Sequence, residues 1–212
     1  MLLQLLNDKD IKFCLANWDV NEDGAKSQPL SEEYKIKQNT ESSSISNEVR
    51  DFIFQKIYGN HYINSVVGPS RVSVNYYNEY QEGDYYLKHV DAFKATPKSA
   101  NVFFDYGFSI ILDDEYKGGE FVLENDVGEI SYDIKKGQML IFPIIYPHSV
   151  SKVTSGSRKA IIGWMSSNIS YERSHILKQL YHICTNAIAS KNSDMIVKSS
   201  IVQNYLLKEW SK

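Results

Sequence analysis

The alternation of apolar and polar positions changes character twice along the chain. From residue 71 to 166, short runs rich in β-branched and aromatic residues follow one another: RVSVNYY, NVFFDYGFSIIL, GEFVLEN, GEISYDI, QMLIFPIIY, HSVSKV and RKAIIGWM. Segments typical of turns separate these runs: DDEYKGG, NDVG, KKG and TSGS. Many short strands with close turns and no intervening helices indicate a β-sandwich or a barrel.

A helical pattern precedes this strand-rich region. A polar stretch over residues 37–49 reads as a loop that leads into the helix. Ser46 or Asn47 would cap the helix, and Gly59 would end it. Four apolar residues recur at helical spacing between the cap and the end: Val49, Phe52, Ile53 and Ile57.

A second helical pattern follows the strands. One apolar stripe comprises Ile176, Leu180, Ile183, Cys184 and Ala187. Another comprises Ile201 or Val202, Tyr205, Leu206 and Leu207. The two stripes predict two amphipathic helices packed on the strands, with a homodimer contact as the alternative use of an apolar face.

Composition narrows the class of protein. A chain of 212 residues predicts a single domain. The net charge is −3 with both signs interspersed, so a nucleic-acid partner is not expected. The N-terminal run MLLQLLNDKDIKF lacks a basic region, and no apolar run approaches the ~18 residues of a membrane span, so we expect a cytoplasmic protein. Cys14 and Cys184 have no partner at metal-site spacing, which favours two buried, reduced thiols.

The segment YQEGDYYLKHVD, residues 80–91, ends with an imidazole and a carboxylate two residues apart. Within a strand, residues i and i+2 point to the same face, so His89 and Asp91 can converge on one small cation. Imidazole and carboxylate together suit a divalent first-row metal ion. Such pairs also arise by chance in a chain with five histidines and 26 acidic residues, so a surface His beside a surface Asp is the alternative.

Two later residues complete a candidate site. His148 follows the apolar run MLIFPIIYP, and a barrel could bring this strand end next to the first pair. Two His and one carboxylate leave three positions of an octahedron open, the arrangement of non-haem Fe(II) oxygenases. Arg158 begins the strand after TSGS, where a buried guanidinium would require an anion such as a carboxylate. The alternatives are a polar strand end for His148 and a solvated side chain for Arg158.

The ordered combination of these residues resembles a known enzyme family. The pattern Y-x-x-G-x-x-Y-x-x-H-x-D runs through Tyr80, Gly83, Tyr86, His89 and Asp91. It resembles the Fe(II)- and 2-oxoglutarate-dependent dioxygenases of the prolyl-4-hydroxylase type, and among them the PKHD-type hydroxylases most. Four further segments agree: SIILDDEYKGGEFVLEN, IFPIIYPHSVSKVTSGSR, WMSSNISYERSHILKQL and YLLKEWSK. The N-terminal part, before about residue 71, is similar only in outline.

The resemblance implies a role for each of five residues. His89, Asp91 and His148 would bind Fe(II). Arg158 would bind the far carboxylate of 2-oxoglutarate, and Tyr80 would donate a hydrogen bond to the same carboxylate. The keto acid end of 2-oxoglutarate would chelate the metal.

Other residues of the same region have weaker signals. Tyr86 is interpreted as a wall residue, and Ser109 could add a hydrogen bond in the pocket. Trp164 is more typical of the core than of a contact with a ligand. Gly118 and Gly119 would serve a turn that requires positive φ.

The segment VFFDYG departs from the pattern of the family. Asp105 is retained, but Phe103 and Phe104 stand where relatives often carry Arg-Thr, which indicates a different or more apolar substrate. Three tyrosines that flank the motif would suit a peptide groove or an ordinary β-sandwich equally well: Tyr76, Tyr77 and Tyr85.

The resemblance also implies the reaction. With Fe(II) and 2-oxoglutarate, the enzyme would use dioxygen to hydroxylate an unactivated C–H bond, releasing succinate and carbon dioxide, while L-ascorbate would help to keep the iron ferrous. The leading substrate is a prolyl residue in a peptide or protein. A free amino acid or small metabolite is the next alternative, and nucleic-acid bases rank lower because basic patches are absent. The non-enzymatic alternative is a jelly-roll binding protein.

The implied fold is mainly β with flanking α. It would be a double-stranded β-helix, or jelly-roll, barrel with an N-terminal helix and a C-terminal helical hairpin. We expect one domain over residues 1–212. Residues 1–70 would form supporting strand and helix, residues 71–168 the jelly-roll catalytic core, and residues 169–212 the C-terminal helices.

Overall fold

The computed structural model describes residues 1–18, 37–38, 41–91 and 103–210. The strands are β1 (Leu2–Gln4), β2 (Lys37–Gln38), β3 (Glu41–Ser44), β4 (Pro69–Gln81), β5 (Tyr85–His89), β6 (Tyr106–Ile111), β7 (Tyr116–Gly118), β8 (Phe121–Asn125), β9 (Gly128–Tyr132), β10 (Gln138–Pro143), β11 (His148–Val150) and β12 (Val153–Ser167). The helices are α1 (Asp8–Ala16), α2 (Asn47–Tyr58), α3 (His61–Val66), α4 (Tyr171–Ala189) and α5 (Ser193–Trp210).

The strands form two antiparallel sheets that pack face to face. The larger has the order β1-β10-β6-β12-β4-β3, with β7 paired to β12, and the smaller has the order β2-β5-β11-β8-β9. Ile111 and Phe142 of the larger sheet share one apolar cluster with Phe121 and Leu123 of the smaller. This is the two-sheet jelly-roll arrangement that the sequence predicted, although the described strands leave both sheets open at their edges and close no barrel.

Strand β4 presents one face to the helices and the other to the space between the sheets. Val74 and Tyr77 lie in the core cluster that includes α1 and α2, whereas Asn78 and Tyr80 line a cavity on the opposite side. A bulge at Asn75 interrupts the pairing with β12 and shifts the alternation of side chains. Tyr77, grouped from the sequence with aromatic residues of the site, is therefore a fully buried core residue instead.

Helices α1 and α2 begin at side-chain caps. The Asn7 side chain accepts from the backbone N–H of Asp10, whose carboxylate accepts from the Asn7 N–H in return. The Ser46 hydroxyl accepts from the third residue of α2, and Gly59 lies at the end of that helix. The cap and the end predicted for α2 are thus confirmed.

The segment TSGS, predicted as a turn, lies inside β12. Gly156 has a φ of +77°, and a Cβ there would lie 2.2 Å from the Glu115 carbonyl oxygen. Up to Gly156 the strand pairs with β7, and from Ser157 onward it pairs with β4. The positive φ redirects the strand to a new partner without reversing the chain. Arg158 therefore lies within a long strand and does not begin one.

The polar stretch over residues 37–49 also differs from its interpretation as a loop. It contains the two short strands β2 and β3, which lie at the edges of the smaller and larger sheet. Their polar composition lacks the apolar alternation by which a strand is recognised, because an edge strand can be held by main-chain hydrogen bonds alone.

The C-terminal helices form the predicted hairpin, but their apolar stripes are only partly buried. Leu177 and Ala187 of α4 are buried. Five residues expected on the packed side are exposed: Ile176, Ile183, Ile201, Val202 and Tyr205. Helical periodicity identifies an apolar stripe but does not specify what covers it. Within the described ranges, neither of these helices, nor any other, has the length and apolar character needed to cross a membrane.

The two cysteines differ in their surroundings. Cys14 lies on the buried face of α1, where desolvation raises the pKa of its thiol to about 12. Cys184 is half-buried on α4, with its Sγ 3.8 Å from the Ser200 hydroxyl oxygen. Both thiols are free. The prediction of a buried thiol is confirmed for Cys14 and wrong for Cys184.

The Tyr77 hydroxyl donates a hydrogen bond of 2.9 Å to the Cys14 carbonyl and so joins β4 to α1 in the core. In Tyr77→Phe the Cys14 carbonyl keeps only the hydrogen bond from the Asn17 backbone N–H, and we expect the free energy of unfolding to fall by about 1 kcal/mol. Urea unfolding followed by circular dichroism measures the change. Tyr205→Phe, at an exposed position, is the matched control; equal destabilisation by both variants would contradict the assignment.

Candidate active site

Three of the predicted site residues converge where β5 meets β11. His89 ends β5, His148 begins β11, and the two residues are direct partners in the antiparallel pair. Asp91 lies two residues beyond the end of β5, outside the strand on which the sequence analysis had placed it. One possible ligand atom from each residue lies within 4.8 Å of the other two. The group could therefore hold a metal ion.

Main-chain hydrogen bonds orient both imidazoles. The His89 Nδ1 lies 2.8 Å from the Leu87 carbonyl oxygen, and the His148 Nδ1 lies 3.2 Å from the Tyr146 carbonyl oxygen. A carbonyl can only accept, so each Nδ1 carries the proton and the Nε2 lone pair of a neutral ring stays available. The two Nε2 atoms lie 3.7 and 3.6 Å from the Asp91 carboxylate oxygens. Both lone pairs are thus presented on the Asp91 side, as metal ligands require.

Aromatic rings clamp the two imidazoles. Tyr86 stacks on His89 with ring centroids 3.6 Å apart and an angle of 16° between the planes. Phe121 stacks on His148 at 5.3 Å and 14°, and Phe142 contacts the same imidazole at 4.7 Å. These contacts restrict the rotation of both rings. The structure therefore supports the interpretation of Tyr86 as a wall residue.

The Asp91 carboxylate is held in its charged form. Burial alone would raise its pKa, but a hydrogen bond from Trp164, together with the hydrogen bonding and charge of His148 and the charge of His89 when these rings carry a second proton in place of a metal ion, keep the pKa below its usual value. The Trp164 Nε1–H donates to Asp91 Oδ2 at 2.9 Å. Trp164 was interpreted from the sequence as a core residue, and its role as a donor to Asp91 is the contact that sequence reasoning missed. Only its place near the end of the Arg158 strand pointed to the site.

Arg158 and Tyr80 are neighbours on two adjacent strands of the larger sheet. They are direct partners in the β4–β12 pair, and the Arg158 guanidinium lies 5.6 Å from the centre of the Tyr80 ring. Both side chains are buried. Burial raises the pKa of Tyr80 well above its usual value, so its hydroxyl remains a donor. The Arg158 Nε has no hydrogen-bond partner in the described part of the chain, as expected of a cation that awaits an anion.

The turn that follows β7 touches the arginine directly. Gly118 and Gly119 have φ values of +71° and +68°, as the sequence analysis expected. A Cβ at Gly119 would lie 2.9 Å from the Arg158 Cδ. Burial raises the pKa of the Tyr116 hydroxyl, and the nearby Arg158 charge acts in the opposite direction. The turn thus packs against the Arg158 side chain.

One cavity between the sheets joins these groups. All five residues that the sequence predicted for the site border it: His89, Asp91, His148, Arg158 and Tyr80. Ser109 lines the same cavity. Trp164, which lines the cavity, also contacts the rings of Tyr76 and Phe104, with centroids 6.5 and 6.2 Å away. The structure brings together possible metal ligands, a buried cation and an aromatic cluster around Trp164.

Comparisons with known proteins identify the family. The family model of the 2OG-Fe(II) oxygenase superfamily matches residues 72–166. A PKHD-type hydroxylase from Idiomarina loihiensis is 31% identical over 224 aligned positions, which cover 100% of this chain and 99% of the relative. The chain belongs to the PKHD-type hydroxylases. Another PKHD-type hydroxylase, from Prochlorococcus marinus, is 31% identical over 92% of this chain and 93% of the relative.

Solved structures agree in fold with this hydroxylase. A prolyl-4-hydroxylase from Pseudomonas putida matches with a TM-score of 0.56 at 16% identity, covering 79% of this chain and 91% of the other. A viral collagen prolyl hydroxylase from Paramecium Bursaria Chlorella virus-1 matches with a TM-score of 0.55 at 16% identity, covering 79% and 94%. Both matches confirm the jelly-roll fold.

The donor set of this PKHD-type hydroxylase fits the two cofactors of the superfamily, Fe(II) and 2-oxoglutarate. His89, Asp91 and His148 would hold Fe(II) as two imidazoles and one carboxylate, a donor set that suits this ion and would leave it able to bind a co-substrate. The buried guanidinium with an unpaired Nε suits a dicarboxylate. The enzyme is a 2-oxoglutarate-dependent dioxygenase, as the sequence predicted.

The hydrogen bond from Trp164 orients the Asp91 carboxylate, so its loss should weaken metal binding. In Trp164→Phe we expect the dissociation constant for Fe(II) to rise by about tenfold, because removal of a partner of a metal ligand typically has this effect. Anaerobic equilibrium dialysis with Fe(II) measures the constant. Trp210→Phe on α5, where the indole faces Arg173, is the matched control and should bind Fe(II) like the wild type.

Proposed function

We propose that this PKHD-type hydroxylase hydroxylates a prolyl residue in a peptide or protein. In this proposal His89, Asp91 and His148 bind Fe(II), and Arg158 and Tyr80 bind 2-oxoglutarate. The observation that carries the proposal is a single cavity in which these five residues meet beside the aromatic side chains of Tyr86 and Trp164. This aromatic wall favours an apolar substrate group next to the metal.

The three metal ligands prepare the site before any substrate arrives. Each histidine donates from Nδ1 to a carbonyl and so offers Nε2, and Asp91 supplies the negative charge. When bound, Fe(II) and 2-oxoglutarate supply the oxidising power that lets dioxygen hydroxylate a C–H bond, with succinate and carbon dioxide as co-products. The protein binds and orients the reactants, and its apolar walls exclude water.

Arg158 and Tyr80 select the co-substrate by its far carboxylate. A planar guanidinium binds a carboxylate through two parallel hydrogen bonds, and the protonated Tyr80 hydroxyl adds a third donor. Both groups are buried, so the pair favours an anion and disfavours a neutral ligand. Their position on the larger sheet, with the metal ligands on the smaller sheet and the segment after it, suits a ligand that spans the cavity.

A prolyl residue fits the remaining wall of the cavity. Its amide nitrogen carries no proton, so Trp164 and Tyr86 can enclose the ring without leaving a donor unsatisfied. The exposed Phe103 and the half-buried Phe104 extend the apolar surface outward, which suits a substrate longer than a single amino acid. The names of the structural neighbours, prolyl hydroxylases, support the same substrate. A free amino acid or small metabolite is the alternative that the experiment below separates.

Several inferences from the sequence accompany this proposal. Dioxygen and an organic substrate are the partners, and nucleic acid is not expected. L-ascorbate as the reductant that keeps the iron ferrous, a homodimer contact and a cytoplasmic location stay predictions. So does the division into residues 1–70, 71–168 and 169–212.

Anaerobic addition of Fe(II) and 2-oxoglutarate tests the site. The metal-bound keto acid should give a weak visible charge-transfer band, and His148→Ala should abolish it because one metal ligand is lost. Arg158→Ala should keep Fe(II) binding but raise the 2-oxoglutarate concentration for half-saturation of the band at least tenfold, since a charge-assisted hydrogen bond is removed. Lys159→Ala is the matched control for the loss of a cation. An undiminished band in His148→Ala, or equal effects of Arg158→Ala on both ligands, would refute the assignments.

Succinate release tests the substrate. We expect proline-containing peptides to stimulate succinate formation and to gain 16 Da at the prolyl residue in mass spectrometry, since one oxygen atom is inserted. Peptides with alanine in place of proline are the control. Stimulation by free amino acids with no response to any peptide would replace the peptide substrate with a small metabolite.

A further inference from the structure

Ser109 places a single hydroxyl in an apolar part of the cavity wall. The residue lies on β6, is 3% exposed and lines the cavity. Its Oγ is buried and has no hydrogen-bond partner within the described residues. A buried hydroxyl without a partner costs free energy, so such groups in folded proteins are usually satisfied by a ligand or an ordered water.

The register of the larger sheet locates this hydroxyl along the cavity. Ser109 lies opposite Ile162 of β12. Along β12, Ile162 is two residues from Trp164 and four residues from Arg158. Trp164 is the residue whose indole donates a hydrogen bond to Asp91. At about 3.3 Å per residue, the row of Ser109 and Ile162 lies about 7 Å along the strand from Trp164 and about 13 Å from Arg158.

The other groups around Ser109 do not satisfy the hydroxyl. Its neighbours across the sheet, Leu140 and Ile162, are aliphatic, and Phe108 precedes it in the strand. Phe142, from the adjacent strand β10, lines the same cavity. A polar group in such a wall recognises a polar atom of whatever occupies the cavity at that level.

We propose that the Ser109 hydroxyl donates a hydrogen bond to the carboxylate of 2-oxoglutarate that is adjacent to the keto group. The inference rests on the proposed function, in which Arg158 binds the other carboxylate. With the far end held by the guanidinium, the keto acid end would extend from Arg158 toward the metal ligands and so past the row of Ser109 and Ile162. A hydrogen bond to a charged acceptor is stronger than one to a neutral group, so the contact contributes to affinity and fixes the orientation of the keto acid.

This contact gives the site a second means of selecting its co-substrate. Arg158 and Tyr80 recognise any ligand with a carboxylate at the far end, including succinate, the product. Succinate lacks the carboxylate next to the keto group. Ser109 would therefore distinguish co-substrate from product, favouring exchange of succinate for 2-oxoglutarate after each turnover.

Binding measurements with both acids test the proposal without relying on turnover. The charge-transfer band under anaerobic conditions gives the dissociation constant of 2-oxoglutarate, and competition with the band gives that of succinate. In Ser109→Ala we expect the 2-oxoglutarate constant to rise about tenfold, the succinate constant to stay within about twofold, and the Fe(II) constant to remain unchanged. Ser109→Thr, which keeps the hydroxyl, should restore most of the 2-oxoglutarate affinity.

Arg158→Lys is the matched comparison, because it should weaken both acids together. If Ser109→Ala weakened the binding of both acids equally, the hydroxyl would contact the far carboxylate or act only in packing. If the dissociation constant of 2-oxoglutarate were unchanged, the proposed hydrogen bond would not exist. Either result overturns the role of Ser109 while the wild-type band upholds the proposed function. A wild type without the band would refute the proposed function, and the Ser109 proposal with it.

Discussion

The register between β5 and β11 is the constraint on which the site depends. It sets His148 directly opposite His89, and side chains that are opposite in an antiparallel pair have Cβ atoms about 4.5–5.5 Å apart, close enough for both rings to reach one ion. A slip by one residue would turn one imidazole to the other face of the sheet. The pairing of β4 with β12 does the same for Tyr80 and Arg158. Two strand registers, one in each sheet, thus set the two ends of the cavity.

The cavity between the two sheets is largely apolar, so each polar group that lines it needs a partner. A buried charge must be paired or hydrogen-bonded, and the Asp91 carboxylate accepts a hydrogen bond from the Trp164 indole and faces two imidazoles with which it can share a cation. Arg158 and Ser109 keep donors that the described chain does not satisfy. Both groups line the cavity between the sheets. Their open donors mark the part of the site that a ligand would complete.

Much of this arrangement could be predicted from the sequence, because the ordered spacing of His89, Asp91, His148 and Arg158 is specific even though each residue alone is not. The strand-rich region and the capped helix α2 followed from local periodicity. Trp164 was misjudged because its acceptor, Asp91, lies beyond the end of a strand in another sheet, and no local pattern encodes that distance. TSGS was misjudged because a positive φ usually marks a turn, whereas at Gly156 it moves a continuous strand between partners. The exposed apolar stripes of α4 and α5 show the same limit of local patterns. Helical periodicity identifies an apolar face of a helix but does not show what packs against that face.

Gly119 links the loop after β7 to the arginine in a way that bears on how such enzymes diverge. Its backbone conformation disfavours any side chain, and the Arg158 methylene chain occupies the space that a Cβ would need. A substitution at Gly119 would therefore displace the buried Arg158 side chain as well as the loop. Loop and arginine are coupled through this contact, so we expect sequence changes in the loop to leave the glycine in place.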